Sequence, residues 1–135
     1  MALFQDYSKV NRIIAANSGW YTLPSEEFLF PYGIQDTYVI DDDLIAAFAK
    51  ELIIMVGEED NHDETRGHLR VTDEANAQGA HRLERAEFFI ETSRQIATDI
   101  QTDFNWRIQI VSRVGHDYKL MSLAAAELLY GEEDI

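Results

Sequence analysis

Apolar and polar positions along this chain follow two rhythms, one of strands and one of helices. At Leu52-Ile53-Ile54-Met55-Val56 the apolar residues run without a break, then stop at Gly57 and the acids Glu58, Glu59 and Asp60. A short, unbroken apolar run ended by a turn residue is the pattern of a strand covered on both faces, as in a parallel sheet. A second run, Ile108-Gln109-Ile110-Val111, leads into Arg113-Val114-Gly115-His116-Asp117. A third lies in Asn11-Arg12-Ile13-Ile14-Ala15-Ala16-Asn17-Ser18-Gly19, where the small Ala15 and Ala16 admit a close neighbour. Strands are therefore predicted over about 12–16, 52–57 and 107–112.

Between them the period changes. Leu83, Ala86, Phe89, Ile90, Ser93, Ile96, Ala97 and Ile100 recur at three- and four-residue steps, with Arg, Glu and Asp on the opposite side, which predicts a long helix over 81–103. Met121, Ala124, Ala125 and Leu128 share one face of a second helix, 118–130, which Gly131 stops. Asp41, Asp42 and Asp43 precede Leu44-Ile45-Ala46-Ala47-Phe48-Ala49 and suit the positive end of a short helix. Ala2 to Tyr7 read as the tail of a further helix, and Glu132 to Ile135 as a polar tail. Strands alternating with helices define an α/β fold with a parallel sheet, expected as a single domain over residues 1–135.

Two stretches lack a period. Residues 19–40 are aromatic and irregular, carrying Trp20, Tyr21, Phe28, Phe30 and Tyr32 and the chain's two prolines, Pro24 and Pro31. Such a loop covers a core, or forms a lid or pocket wall beside a site, since clefts for small ligands are lined by aromatic groups; the two readings are compatible. Glu58 to Gly79 is polar and reads as a long surface loop.

Composition narrows the function. With 135 residues and 46% hydrophobic content the chain has enough material for a real core. Its 11 Lys and Arg against 25 Asp and Glu give a formal charge of −14, which disfavours a nucleic-acid backbone and an anionic membrane surface as partners. The absence of cysteine removes disulfides and thiolate zinc sites. Met1 to Lys9 show no secretory pattern and no run is long enough to span a membrane, so the expectation is a soluble, cytoplasmic protein without a cofactor.

In open parallel sheets the chemistry gathers at the carboxyl ends of the strands. Asp60 follows one such end and His116 another, so the two are candidates for an acid–histidine pair. A divalent-metal site from Asp60, His62, Asp63 and His68, or from the Asp41–Asp43 run, matches no established ligand spacing; solvated loop acids and helix-start acids account for these residues.

At Gly57-Glu58-Glu59-Asp60 and Val114-Gly115-His116-Asp117 the chain resembles the α/β-hydrolase superfamily. More narrowly, it resembles the carboxyl-terminal half of bacterial hydrolases related to poly(3-hydroxybutyrate) depolymerases, from about Lys9 to Tyr130. In that fold the triad runs nucleophile, acid, histidine along the chain. The resemblance implies that Asp60 is the acid after the seventh strand and His116 the histidine after the eighth. Asn11 to Tyr21 then correspond to the sixth strand and the loop that leaves it. The nucleophile elbow, Gly-x-Ser-x-Gly, does not occur in this sequence. Ser18 is a lesser candidate, lacking the preceding Gly and a following helix; Ser112 and Ser122 fit hydrogen-bonding roles. The resemblance thus implies a serine esterase- or depolymerase-type segment carrying the triad Asp and His but inactive by itself. The alternative is a non-catalytic module that assembles, with itself or with a missing amino-terminal half, through the exposed edge of strand 12–16.

Overall fold

The computed structural model describes residues 9–131; the helix tail expected at Ala2–Tyr7 and the polar tail at Glu132–Ile135 lie outside the described residues. Strand β1 (Arg12–Ala16) is followed by helix α1 (Asp41–Phe48), strand β2 (Glu51–Gly57), a single helical turn α2 (Asp73–Asn76) and helix α3 (Arg82–Asp99). Strand β3 (Trp106–Val111) and helix α4 (Tyr118–Tyr130) complete the order.

The strands form a parallel sheet in the order β1-β2-β3. Ile14 stands opposite Ile53, and Ile54 opposite Ile108. The continuous apolar run of β2 has the physical cause expected of it. Leu52, Ile54 and Val56 face a core with Phe48, Phe89, Ile90 and Trp106, while Ile53 and Met55 face a second core with Val114 and Met121. Side chains alternate across a strand, so a strand buried on both faces has no polar position to spare. Helices α1 and α3 cover one face and α4 the other.

The observed elements depart from the sequence-based expectation in several places. β3 begins at Trp106, whose ring is 5% exposed and whose Nε1–H donates to the Ala47 carbonyl at 2.8 Å. α3 ends at Asp99 rather than 103, because Gln101 turns into the left-handed region (φ 56°) and Thr102 N–H closes back on the Ala97 carbonyl. The polar stretch 58–79 is not all loop: Thr72 caps α2 by accepting the Ala75 N–H at 3.1 Å. Among the described residues no helix is long and apolar enough to cross a membrane.

The aromatic stretch 19–40 packs largely inward. Tyr21 stacks on Phe89, ring centroids 4.5 Å apart, and Phe28 packs against the same core. Those two side chains are core material, because burial of a large ring outweighs anything it gains at the surface. Phe30, by contrast, is 56% exposed.

Candidate active site

Two loops at the carboxyl ends of β2 and β3 carry the site. The turn after β2 is held by the Asp60 N–H on the Gly57 carbonyl, and it points the Asp60 side chain inward, 1% exposed. An ionised carboxylate survives such burial only with partners. Asp60 has two: Oδ2 lies 3.0 Å from Nδ1 of His116, and Oδ1 accepts from Nη1 of Arg82 at 3.3 Å. Arg82 opens α3 and is itself buried, its Nε without a hydrogen-bond partner among the described residues. The helix is anchored there a second time, since Leu83 N–H donates to the Asp60 carbonyl.

His116 is more open, with its side chain 29% exposed. Its backbone is strapped by Glu64, whose Oε2 accepts the His116 N–H at 2.5 Å. The same carboxylate accepts from Nε and Nη2 of Arg66, and Arg66 reaches on to Asp117 at 3.2 Å. These donors hold the Glu64 carboxyl well below the usual carboxylate range, Arg66 contributing most and the His116 N–H next. Asp117 then caps α4, accepting the N–H groups of Lys119 and Leu120, which also lowers its pKa.

Two glycines make this packing feasible. A Cβ on Gly115 would run into the Glu64 carboxylate, and one on Gly67 (φ 75°) would stand 2.6 Å from Cδ2 of the His116 ring. Segment 64–67 therefore wraps the imidazole as closely as a bare backbone permits. Asn17, just beyond β1, ties the three strand ends together: Oδ1 accepts the Gly57 N–H at 3.1 Å and Nδ2 donates to the Gly115 carbonyl at 3.4 Å.

Other candidates from the sequence fall elsewhere. Ser18 lies beside the Tyr21 phenol, and it makes no hydrogen bond to His116 among the described residues. The Tyr21 hydroxyl is buried without a well-formed hydrogen bond among the described residues, and burial, opposed in part by the neighbouring Ser18 and aided by the Asp60 charge, pushes its pKa up to about 12. His62 and Asp63 pair with each other at 3.4 Å on the outside, both more than three-quarters exposed, while Asp60 is committed inside. Among the described residues no three His, Asp or Glu side chains gather as metal ligands. Trp20 and Tyr32 pack together, centroids 4.9 Å apart, beside Arg70. Glu64, Arg66, Arg82 and Asn17 were not singled out by sequence reasoning.

An open groove of about 400 Å3 runs along β1 and α4 and ends at His116. Ile14, Ala16, Met121 and Leu129 line its apolar part. The outer edge of β1 borders it, with no further strand paired there among the described residues.

A parallel sheet of consecutive strands, with an acid and a histidine at the ends of two neighbours, defines a protein of α/β-hydrolase type. Solved structures agree with that class. The poly(3-hydroxybutyrate) depolymerase LpqC from Bordetella parapertussis superposes with a TM-score of 0.89 and 31% sequence identity over 97% of this chain. Poly(aspartic acid) hydrolase-1 from Sphingomonas sp. KT-1 gives a TM-score of 0.79 and 36% identity over 88% of this chain. The chain spans about 45% of the length of each of these two proteins. No family model and no curated protein matches it.

Proposed function

We propose that this chain supplies the acid and the imidazole of a serine-hydrolase-type active site that cleaves an acyl bond, with Asp60 and His116 as the catalytic pair. The observation that carries the reading is the 3.0 Å contact between buried Asp60 Oδ2 and His116 Nδ1. An acid placed there fixes the proton on Nδ1 and leaves Nε2 as the base. In the reaction Nε2 takes the proton of an attacking hydroxyl and returns it to the leaving group, while Asp60 steadies the imidazolium between the two events. Glu64, through the His116 N–H, and Arg82, through Asp60 Oδ1, hold the two partners in register.

The nucleophile and the oxyanion donors come from polypeptide outside these residues. Support for this is the absence of Gly-x-Ser-x-Gly from the sequence and of any Ser18–His116 hydrogen bond among the described residues. The groove beside His116 and the bare edge of β1 form the seat on which that polypeptide docks, because an unpaired strand edge and an apolar face both gain from being covered. The depolymerase and the hydrolase it resembles act on polymers joined by acyl bonds, and the substrate class here is an ester or amide of that kind.

Hydrolysis of p-nitrophenyl butyrate tests the reading. The 135-residue chain releases nitrophenol no faster than buffer, and adding a polypeptide that carries a Gly-x-Ser-x-Gly elbow, joined ahead of residue 1 or as a separate chain, yields turnover that Asp60→Asn and His116→Ala remove. Turnover by the chain alone that His116→Ala abolishes would place the nucleophile within these residues and overturn the proposal.

The groove and edge also favour a second reading, a module that assembles through β1 without chemistry of its own. Light scattering during size-exclusion chromatography separates the cases. That reading requires a self-assembled species, dispersed by Ile14→Lys, or a stable complex with a partner chain that has no hydrolytic activity; a monomer that acquires turnover with the elbow polypeptide rules it out.

A further inference from the structure

Arginine is usually spoken for in an acidic chain, and four of the eight arginines here form ion pairs among the described residues. Arg12 pairs with Glu51, Arg66 with Glu64, Arg82 with Asp60 and Arg94 with Glu91, each within 3.3 Å. Arg70 is different. It makes no ion pair among the described residues, in a chain with 25 acids to choose from. Yet its guanidinium is held in place. Nε donates to the Tyr32 hydroxyl at 2.8 Å, and that hydroxyl is in turn fixed against Thr72 at 3.1 Å. The guanidinium carbon lies 5.4 Å from the centre of the Trp20 ring and 5.7 Å from that of Tyr32. Contacts of this kind orient a cation without neutralising it.

The backbone beneath is clamped as well. Arg85, fully buried, donates through a single nitrogen, Nη1, to the carbonyls of Gly19 at 2.7 Å and Arg70 at 3.0 Å. Its Nε and Nη2 engage the Gly79 carbonyl and Asn76 Oδ1. One buried guanidinium thus locks together the two strands of loop that carry Trp20 and Arg70. With Nε occupied, the fork left open is Nη1 and Nη2 of Arg70, neither bonded among the described residues. Two parallel N–H groups on a rigid plane match the two oxygens of a carboxylate.

The segment that carries this fork adjoins the proposed site. A Cβ on Gly67 would stand 2.6 Å from the His116 ring, and three residues of chain span at most about 11 Å, so the Arg70 Cα lies no further than that from the Gly67 Cα. The chain's −14 charge opposes a ligand bearing many negative charges but tolerates one at a local cation.

We propose that Arg70, seated on Trp20 and Tyr32, is a carboxylate-binding subsite that takes the free acid end of a short, otherwise uncharged hydroxy-acid oligomer. The assignment of that oligomer as substrate rests on the hydrolase reading above; the binding itself does not.

The test is a titration of the chain with 3-hydroxybutyrate and with acetate, followed through the Arg70 Nε–H and Trp20 indole N–H signals in 1H–15N spectra. Both signals move saturably with millimolar dissociation constants. Arg70→Met, whose fold is checked by circular dichroism, abolishes the Trp20 response, and Arg70→Lys weakens binding about tenfold or more because an ammonium lacks the fork. Ethyl 3-hydroxybutyrate and chloride leave the signals in place. Shifts that do not saturate, that persist in Arg70→Met, or that chloride or phosphate reproduces equally (an adventitious ion only) would overturn the subsite. None of these outcomes depends on Asp60 or His116, so the subsite and the acid–histidine pair stand or fall separately.

Discussion

Glu64 sits four residues beyond the buried Asp60 and folds its carboxylate back onto the segment that carries His116. The bonds it accepts from Arg66 and from the His116 backbone need the ionised form, so its folded-state pKa lies below the ordinary value of 4.5. The sign follows: its contribution to stability is complete above that value and is lost as the pH falls below it. Glu64→Gln should therefore lower the midpoint of thermal unfolding at neutral pH, and the gap between variant and parent should close in acid. A gap that stays constant from neutral pH into acid would show that the charge plays no part. At this scale the sequence was half legible. Asp60 and His116 were visible because each follows an apolar strand and a glycine within three residues. Glu64, Arg82 and Asn17 were not, because the site partners they reach, His116, Asp60 and Gly115, lie 22 to 98 residues away. Tyr21 and Phe28 looked as much like pocket wall as core, since aromatic composition alone does not say which way a ring turns.

Elements were read most securely where burial is two-sided. β2 has cores on both faces, so Leu52 to Val56 are apolar without a break. Helix ends were harder, because termination is a backbone event. The amphipathic pattern of α3 runs on past Asp99, while the chain turns at Gln101 (φ 56°), a conformation that costs an L residue roughly 1–2 kcal/mol. Glycine removes that cost and adds roughly 0.5–1 kcal/mol of backbone entropy to the unfolded chain. Gln101→Gly should accordingly raise stability by roughly 0.5–1 kcal/mol in urea denaturation. A loss of stability would mean that the Gln101 side chain, not the turn, holds the end of the helix. α2 escaped notice for the opposite reason: Thr72-Asp73-Glu74 is a good cap and first turn, but a four-residue helix leaves no period to detect.

At the scale of the whole molecule, the fold brings together groups 56 residues apart in sequence. Sheet order puts the ends of β2 and β3 side by side, Asn17 and Gly115 close the gap between their loops, and α3 delivers Arg82 to the far oxygen of Asp60. The groove along β1 and α4 opens at the imidazole, so whatever docks there meets His116. Everything proposed for catalysis depends on one detail of that assembly, the placement of the imidazole proton. The most direct measurement is the ring tautomer of His116, read from 15N chemical shifts and one-bond N–H couplings with the imidazole neutral. The account predicts the proton on Nδ1, hydrogen-bonded to Asp60, with Nε2 bare, and loss of that preference in Asp60→Asn. A proton on Nε2, or a tautomer mixture that Asp60→Asn leaves unchanged, would contradict it.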